Sequence, residues 1–457
     1  MDRSVYTNGS SPTASTQSVF MVAAIAAAEG RAVAHIDFPG AFLNSPMPDD
    51  SPPVFMKLNK FLAKVVVHIA PEYLPFMRAD GTLVVKLKKA LYGCVESARL
   101  WYEHLARDLH QLGYTVNPHD CCVFNRVEES TGKQTTLVIH VDDVMITASS
   151  EEKLSNVISE IESIYPDLSI HRGRVIEYIG MKFDFRDRGK VKITMPGYVD
   201  EVLAEVDDLP GEVKTPASPD LFTVNESSER LSSDDKERYH SLVAKLLYLA
   251  KRVRPDLLVA ISFLSKRVQC PTRQDWRKLV KALKYLRGTR TYGIVLEASK
   301  HLAVMAWIDA AYGVHANMRS HTGCVIGIGR GPIYAKSSTQ KLNTKSSTEA
   351  ELVGLSDSAG QVLWTRNWLE SQGYKLPPAK IYQDNQSTIA LIKKGHSTSE
   401  KTRHIAIRYF FVADRVAAKE IDVEYLSTTE MLADILTKPL QGALFEKLRD
   451  ALLNWSG

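Results

Sequence analysis

Two adjacent carboxylates, Asp142 and Asp143, sit between the apolar runs 137–141 and 144–146. Strands joined by a tight polar turn read as a β-hairpin, and Asp favours such turns. Two carboxylates about 4 Å apart repel by about 4 kcal/mol at an effective dielectric near 20, so a fold that holds them together usually offers a cation in return. Taken alone, the pair is better explained as an ordinary hairpin turn, because Asp-Asp turns are common. Far upstream, a short apolar strand at 34–38 carries Asp37. A strand-end aspartate beside an aspartate hairpin is the arrangement needed to hold two divalent metals for in-line phosphoryl displacement.

A second set of acids lies in the C-terminal third. Asp309 ends a predicted strand at 302–308, and Asp384 ends another at 379–383. Glu351 falls early in a predicted helix at 347–370, on the face shared by Leu355, Ala359 and Val362. Ser346 and Glu349 form a capping box, which accounts for Glu349 but not for Glu351. Asp434 opens or lies within a short helix. Each of these acids also has a plain reading as a helix cap or turn residue.

The elements that must position these acids alternate between helix and strand, in the pattern of an α+β chain. The 457 residues suit two or three domains. Residues 1–18 are rich in Ser, Thr, Asn and Gly and are expected to be loosely ordered. Residues 19–206 form the first folded unit and 207–234 an acidic, Pro- and Ser-containing linker. A helical segment spans 235–300, a second alternating unit 301–440, and a terminal helix 441–457. Between Lys245 and Arg290 thirteen Lys or Arg face two Asp, a surplus of +11 that leaves the rest of a +4 chain at −7. That asymmetry suggests a polyanionic partner. In 273–288, Trp276, Leu279, Val280, Leu283 and Leu286 make an apolar stripe opposite Arg273, Arg277, Lys278, Lys281, Lys284 and Arg287. A solvated face is the alternative to phosphate contact there. Five cysteines show no metal-type spacing, which fits a reduced compartment. No apolar run reaches the length of a membrane span; the longest clean one, 19–28, reads as a buried helix.

The blocks HIDFPGAFLNSPM, LKKALYGCVESARLWY and HVDD resemble the reverse transcriptase of Copia-like long-terminal-repeat retrotransposons. Downstream, YHSLVAKLLYLAKRVRPDLL, KSSTEAEL, YQDNQSTIAL, RHIAIRYFF and LADILTKPL resemble the rest of that Pol polyprotein through its ribonuclease H. The resemblance covers residues 19–440. It implies a reverse transcriptase palm lacking its fingers, a helical basic thumb and connection, and a ribonuclease H-like α/β domain with a mixed sheet.

The resemblance makes Asp37, Asp142 and Asp143 the polymerase carboxylates, with Asp37 and Asp142 bridging two magnesium ions. Phe42 would stand under the incoming sugar and exclude a 2′-hydroxyl. Tyr92 and Gly93 would shape the templating pocket, and Gly180 would belong to the element gripping the primer end. Arg273, Arg277, Lys278, Lys281 and Lys284 would track the nucleic-acid backbone. Asp309, Glu351, Asp384 and Asp434 match the ribonuclease H acids and would hold a second pair of magnesium ions, with manganese as a substitute. Implied partners are an RNA template, a DNA primer, deoxynucleoside triphosphates, RNA–DNA hybrids and other Pol fragments. The implied location is the cytoplasmic particle of the element or the nucleus, without a membrane.

The sequence departs from the family at His140, where Tyr or Phe is usual, and at Glu96 and Ala98, where Gln and Pro are usual. The family's Asp and His in the block around His404 and Arg408 are Ala406 and Phe410. With only Arg3 and Arg31 as bases before Asp37, the polymerase is expected to be impaired. Two rival expectations are a working ribonuclease H alone and a non-catalytic nucleic-acid-binding relic.

Overall fold

The computed structural model describes residues 10–49, 52–206, 209–394 and 406–455. Helix α1 (Thr16–Glu29) opens at Ser15, whose hydroxyl accepts the Ser18 amide, and closes at Gly30 in a left-handed conformation. The cap at Ser15 starts the helix ahead of the expected residue 19. Every residue from 17 to 27 is buried, as suits a helix apolar on all sides.

Strand β1 (Ala32–Asp37) follows. Next, β2 (Phe55–Leu58), α2 (Lys60–Ile69) and β3 (Leu83–Lys86) make a small outlying ribbon, with β2 and β3 paired antiparallel. The chain continues through α3 (Ser97–Gln111), β4 (Thr115–Asn117), β5 (Asp120–Val127), β6 (Gln134–His140), β7 (Asp143–Ala148), α4 (Glu151–Glu162) and β8 (Ser169–Arg172). These strands form one sheet in the order β4-β5-β6-β7-β1-β8. β1 lies antiparallel to both β7 and β8. Aliphatic residues such as Ile36, Val138, Ile139 and Ile146 fill its core.

A second sheet begins with β9 (Val175–Tyr178), β10 (Met181–Asp184) and β11 (Val191–Thr194). The apolar and β-branched composition of 176–185 is that of a single strand. The chain instead reverses at Ile179 and Gly180, both at positive φ (45° and 74°), and splits that run in two. After α5 (Pro196–Ala204) comes the stretch expected to be a linker. Within its described part Leu209, Ala217 and Leu221 are buried, so the segment is a strap rather than a free tether.

The strap packs on a helical layer of α6 (Ser233–Ala250), α7 (Leu258–Ser265) and α8 (Arg273–Gly288). Strand β12 (Ile294–Ala298) then returns to pair antiparallel with β11, tying the helical segment into the second sheet. The last unit comprises β13 (Met305–Ala311), β14 (His321–Gly327), β15 (Gly329–Arg330), β16 (Tyr334–Thr339), α9 (Ser347–Ser371), β17 (Ala379–Gln383), α10 (Gln386–Lys394), α11 (Ala406–Ala417), β18 (Ile421–Tyr425), α12 (Asp434–Thr437) and α13 (Gly442–Leu453). Its sheet runs β16-β14-β13-β17-β18. The β13–β14 and β14–β16 pairs are antiparallel, and β13–β17 and β17–β18 are parallel. The α+β class and the mixed sheet expected from the sequence are both present.

The two halves are locked together along α9. Gln17 donates to Thr365 and accepts from Gln361, both at 2.6 Å. The Asn117 amide donates to the Trp368 carbonyl and the Trp364 indole to the His119 carbonyl. Tyr374 accepts from Arg31 and donates to Glu29.

Candidate active sites

The hairpin joining β6 to β7 turns at Val141 and Asp142, and His140 pairs with Asp143 across it. Val141 stands at φ 63°, as the first residue of a type II′ turn must. That region is strained for a β-branched residue. The Trp101 indole donates to the Val141 carbonyl at 2.8 Å and holds the turn from α3. On the other side Asp37 is the direct cross-strand partner of Asp143, and directly opposed residues keep their Cα atoms about 4.5–5.5 Å apart. The three polymerase-type acids therefore meet at one rim of the first sheet.

Asp37 has its acidity weakened first by burial, then by the charges of Asp142 and Asp143, against smaller opposing effects of His35 and the Phe38 amide. His35 bonds Asp143 at 2.9 Å and stacks on His171. Among the described residues, these three acids do not form a group whose ligand atoms all lie within 4.8 Å of one another; that condition is met by Asp309, Glu351 and Asp384.

Around the first rim the Phe42 ring stacks on Tyr92, centroids 5.6 Å apart. Tyr92 is otherwise bare to solvent, and Gly93 beside it has φ 95°. Gly180 forms the β9–β10 reversal, and a Cβ there would stand 3.6 Å from the Tyr248 hydroxyl of α6. Arg252, stacked on Tyr248, is close enough to influence His140; sequence reading had not singled it out. Glu96, one of the departures from the family, is buried and paired with Arg99 at 3.1 Å.

The basic face of α8 also differs from expectation. Lys278 donates to the Leu221 and Thr223 carbonyls, and Lys281 to the Ser218 hydroxyl. These ammonium groups hold the strap, and burial lowers the pKa of each. They are corrected here from backbone contacts to structural ties. Arg273 faces Glu229 at 3.5 Å. Arg277 is exposed and Lys284 half-buried.

The second acid cluster is more tightly built. Asp309 stands on the central strand β13, Glu351 in the second turn of α9, Asp384 just past β17, and Asp434 at the start of α12. Asp309, Glu351 and Asp384 each bring one oxygen within 4.8 Å of the others. Gln383 donates to Glu351 at 3.2 Å, Thr428 to Asp384 at 2.9 Å, and Thr437 to Asp309. Gly323 lets α12 approach, since a Cβ there would lie 2.7 Å from the Ala433 carbonyl.

Burial, then Asp309 and Asp384, raise the Glu351 pKa well above its ordinary value. Burial, then Asp309, push Asp434 up to about 7 despite Lys438. Lys438 bonds Asp434 at 2.8 Å and reaches Asp309 at 3.5 Å. Four converging, largely buried carboxylates facing one ammonium leave charge that a hard divalent cation would balance. The residues therefore fit such an ion. Sequence reading missed Lys438, although its spacing of four from Asp434 was a usable signal. His404 lies outside the described residues, as does the part of its block before Ala406.

Residues 2–213 match the family described as reverse transcriptase (RNA-dependent DNA polymerase). The match covers the N-terminal part of the chain, and the acids of the first rim lie within it. More particularly, its relatives are retrotransposon polyproteins. It is 28% identical over 96% of its length to the "Retrovirus-related Pol polyprotein from transposon RE1" of Arabidopsis thaliana. Over 80% of its length it is 26% identical to the "Transposon TyH3 Gag-Pol polyprotein" of Saccharomyces cerevisiae. The chain spans 29% of the first of these relatives and 21% of the second. Among solved structures, the prototype foamy virus protease–reverse transcriptase overlaps 87% of this chain and 43% of its own, at 12% identity and a TM-score of 0.22. The N-terminal ribonuclease H domain of a Mycobacterium tuberculosis protein overlaps 33% of this chain and 96% of its own, at 13% identity and a TM-score of 0.22.

Proposed function

We propose that the chain carries two phosphoryl-transfer centres: an RNA-directed DNA polymerase centre at Asp37, Asp142 and Asp143, and a ribonuclease H centre at Asp309, Glu351, Asp384 and Asp434. The observation that carries the nuclease reading is the convergence of Asp309, Glu351 and Asp384 within 4.8 Å in a buried setting. Magnesium, when bound, would supply the charge that stabilises the attacking and leaving oxygens of a phosphodiester. The protein's own part is positioning. Gln383 and Thr428 fix the Glu351 and Asp384 carboxylates, and Thr437 fixes Asp309. Burial around Asp309 and Asp434 keeps bulk water from competing for the ligand oxygens. At the first rim His35 and the Trp101-braced turn set Asp143 and Asp142 beside Asp37. There Phe42 and Tyr92 offer a planar wall for a sugar and base.

The substrates proposed are an RNA–DNA hybrid for the nuclease, and a primed RNA template with deoxynucleoside triphosphates for the polymerase. Of the two, hybrid cleavage should dominate in this chain alone. Its acids already converge, whereas those of the first rim would have to draw closer. One preparation assayed both ways with magnesium tests this. Asp384→Asn should lower hybrid cleavage by orders of magnitude and leave any primer extension intact; Asp142→Asn should do the reverse. Cleavage that survives Asp384→Asn would remove the second cluster from the chemistry.

A further inference from the structure

We propose that Lys438 is a resident counter-cation of the nuclease centre, which a second divalent metal must displace before the centre is complete. The inference rests on the nuclease reading and adds an order of loading to it. Asp309 is shared between two cation positions of unlike character. On one side it joins Glu351 and Asp384, and among the described residues no side-chain cation lies at ion-pair distance from those two. On the other it joins Asp434, and there the Lys438 ammonium stands 2.8 Å from Asp434 and 3.5 Å from Asp309.

Both carboxylates of that second position are 2% exposed, whereas the Lys438 side chain is 38% exposed. The ammonium thus covers the buried pair from the solvent side and has a way out. A metal and an ammonium cannot both sit against Asp309 and Asp434, since like charges in one cage repel. Lysine suits such a role because its charge rides on a flexible four-carbon stem. Thr437, which also bonds Asp309, is neutral and can stay. A first metal therefore enters the open position, and a second enters only as Lys438 leaves. Once displaced, the ammonium remains tethered just past α12, where it can meet the phosphate of a bound strand.

The test is calorimetric titration of the metal-free full chain with magnesium alone. The parent should take up two ions in unequal steps. Lys438→Gln should leave the first step unchanged and tighten the second about tenfold. In metal-free buffer Lys438→Gln should also melt lower, and magnesium should raise its melting temperature more than it raises the parent's. Lys438→Arg keeps the charge and should bind the second ion no better than the parent. A second step in Lys438→Gln no tighter than in the parent, or tightened by Lys438→Arg, overturns the proposal while the metal site stands. A parent that binds no magnesium overturns the nuclease reading and this inference together.

Discussion

Two buried histidines outside both acid clusters give the structure a stability signature of its own. His315 and His321 are bonded ring to ring at 2.9 Å, and His321 continues to the Ser337 hydroxyl, which donates to the Leu436 carbonyl of α12. Burial, then the neighbouring Lys266, lowers His315 to about 4. Burial, then His315 and Lys266, lowers His321 well below 6.5. Groups with depressed folded values stay neutral in the fold but gain a proton on unfolding. Their stabilisation is therefore complete above the unfolded value of 6.5 and is lost as pH falls toward 4. Melting followed from pH 7.5 to 4.5 should show a loss on the order of 1 kcal/mol or more from this pair, and His315→Gln should reduce it. A slope unaffected by that change would locate the acid sensitivity elsewhere. At this scale the hairpin turn and the strand-end Asp37 are local patterns legible in the sequence, whereas Asp309, expected just past a strand at 302–308, lies inside β13, which runs on to Ala311. The sequence was silent on the histidine pair and on Arg252. Part of their setting comes from groups distant in the chain, Lys266 and Ser337 for the histidines and His140 for Arg252, and no periodicity encodes those.

At the scale of elements, α8 shows both the strength of periodic reading and where it fails. Its apolar stripe and its capping box of Thr272 and Asp275 are as local pattern dictates. Pattern says which face is polar, but not what covers that face. Here the strap covers it, and Lys278 and Lys281 spend their hydrogen bonds on strap groups. Changing both to Glu should destabilise the fold by about 1.5–3 kcal/mol for each charged hydrogen bond removed, read as a lower urea midpoint. The salt dependence of hybrid binding should change little. Changing Arg277 and Lys284 to Glu should do the opposite, flattening the plot of log affinity against log salt by about one unit for each phosphate no longer neutralised. The β9–β10 reversal teaches the same lesson. The run 176–185 has the composition of one strand, and the left-handed Ile179 was not legible without the fold.

At the scale of the molecule, the two candidate centres share one body. Trp368 is fully buried at the seam, and Asn117 bonds its carbonyl across it. Trp368→Ala should cost about 3–5 kcal/mol, and probes placed in either half should report the same lowered transition. Separate transitions would show that the halves melt independently. The sequence revealed two alternating units in the right order, but not that they would be fastened along α9, since the fastening groups are ordinary Gln, Asn and Tyr residues. Helix α1 extends this into the time domain. Its Gln17 finds its partners 344 and 348 positions later, at Gln361 and Thr365. Contacts of such long sequence separation form slowly. During synthesis at roughly 5–20 residues per second, α1 emerges early and must wait tens of seconds for α9. The first rim of acids thus reaches its final setting only after the helix bearing Glu351 has been made, which places both centres under a single maturation step.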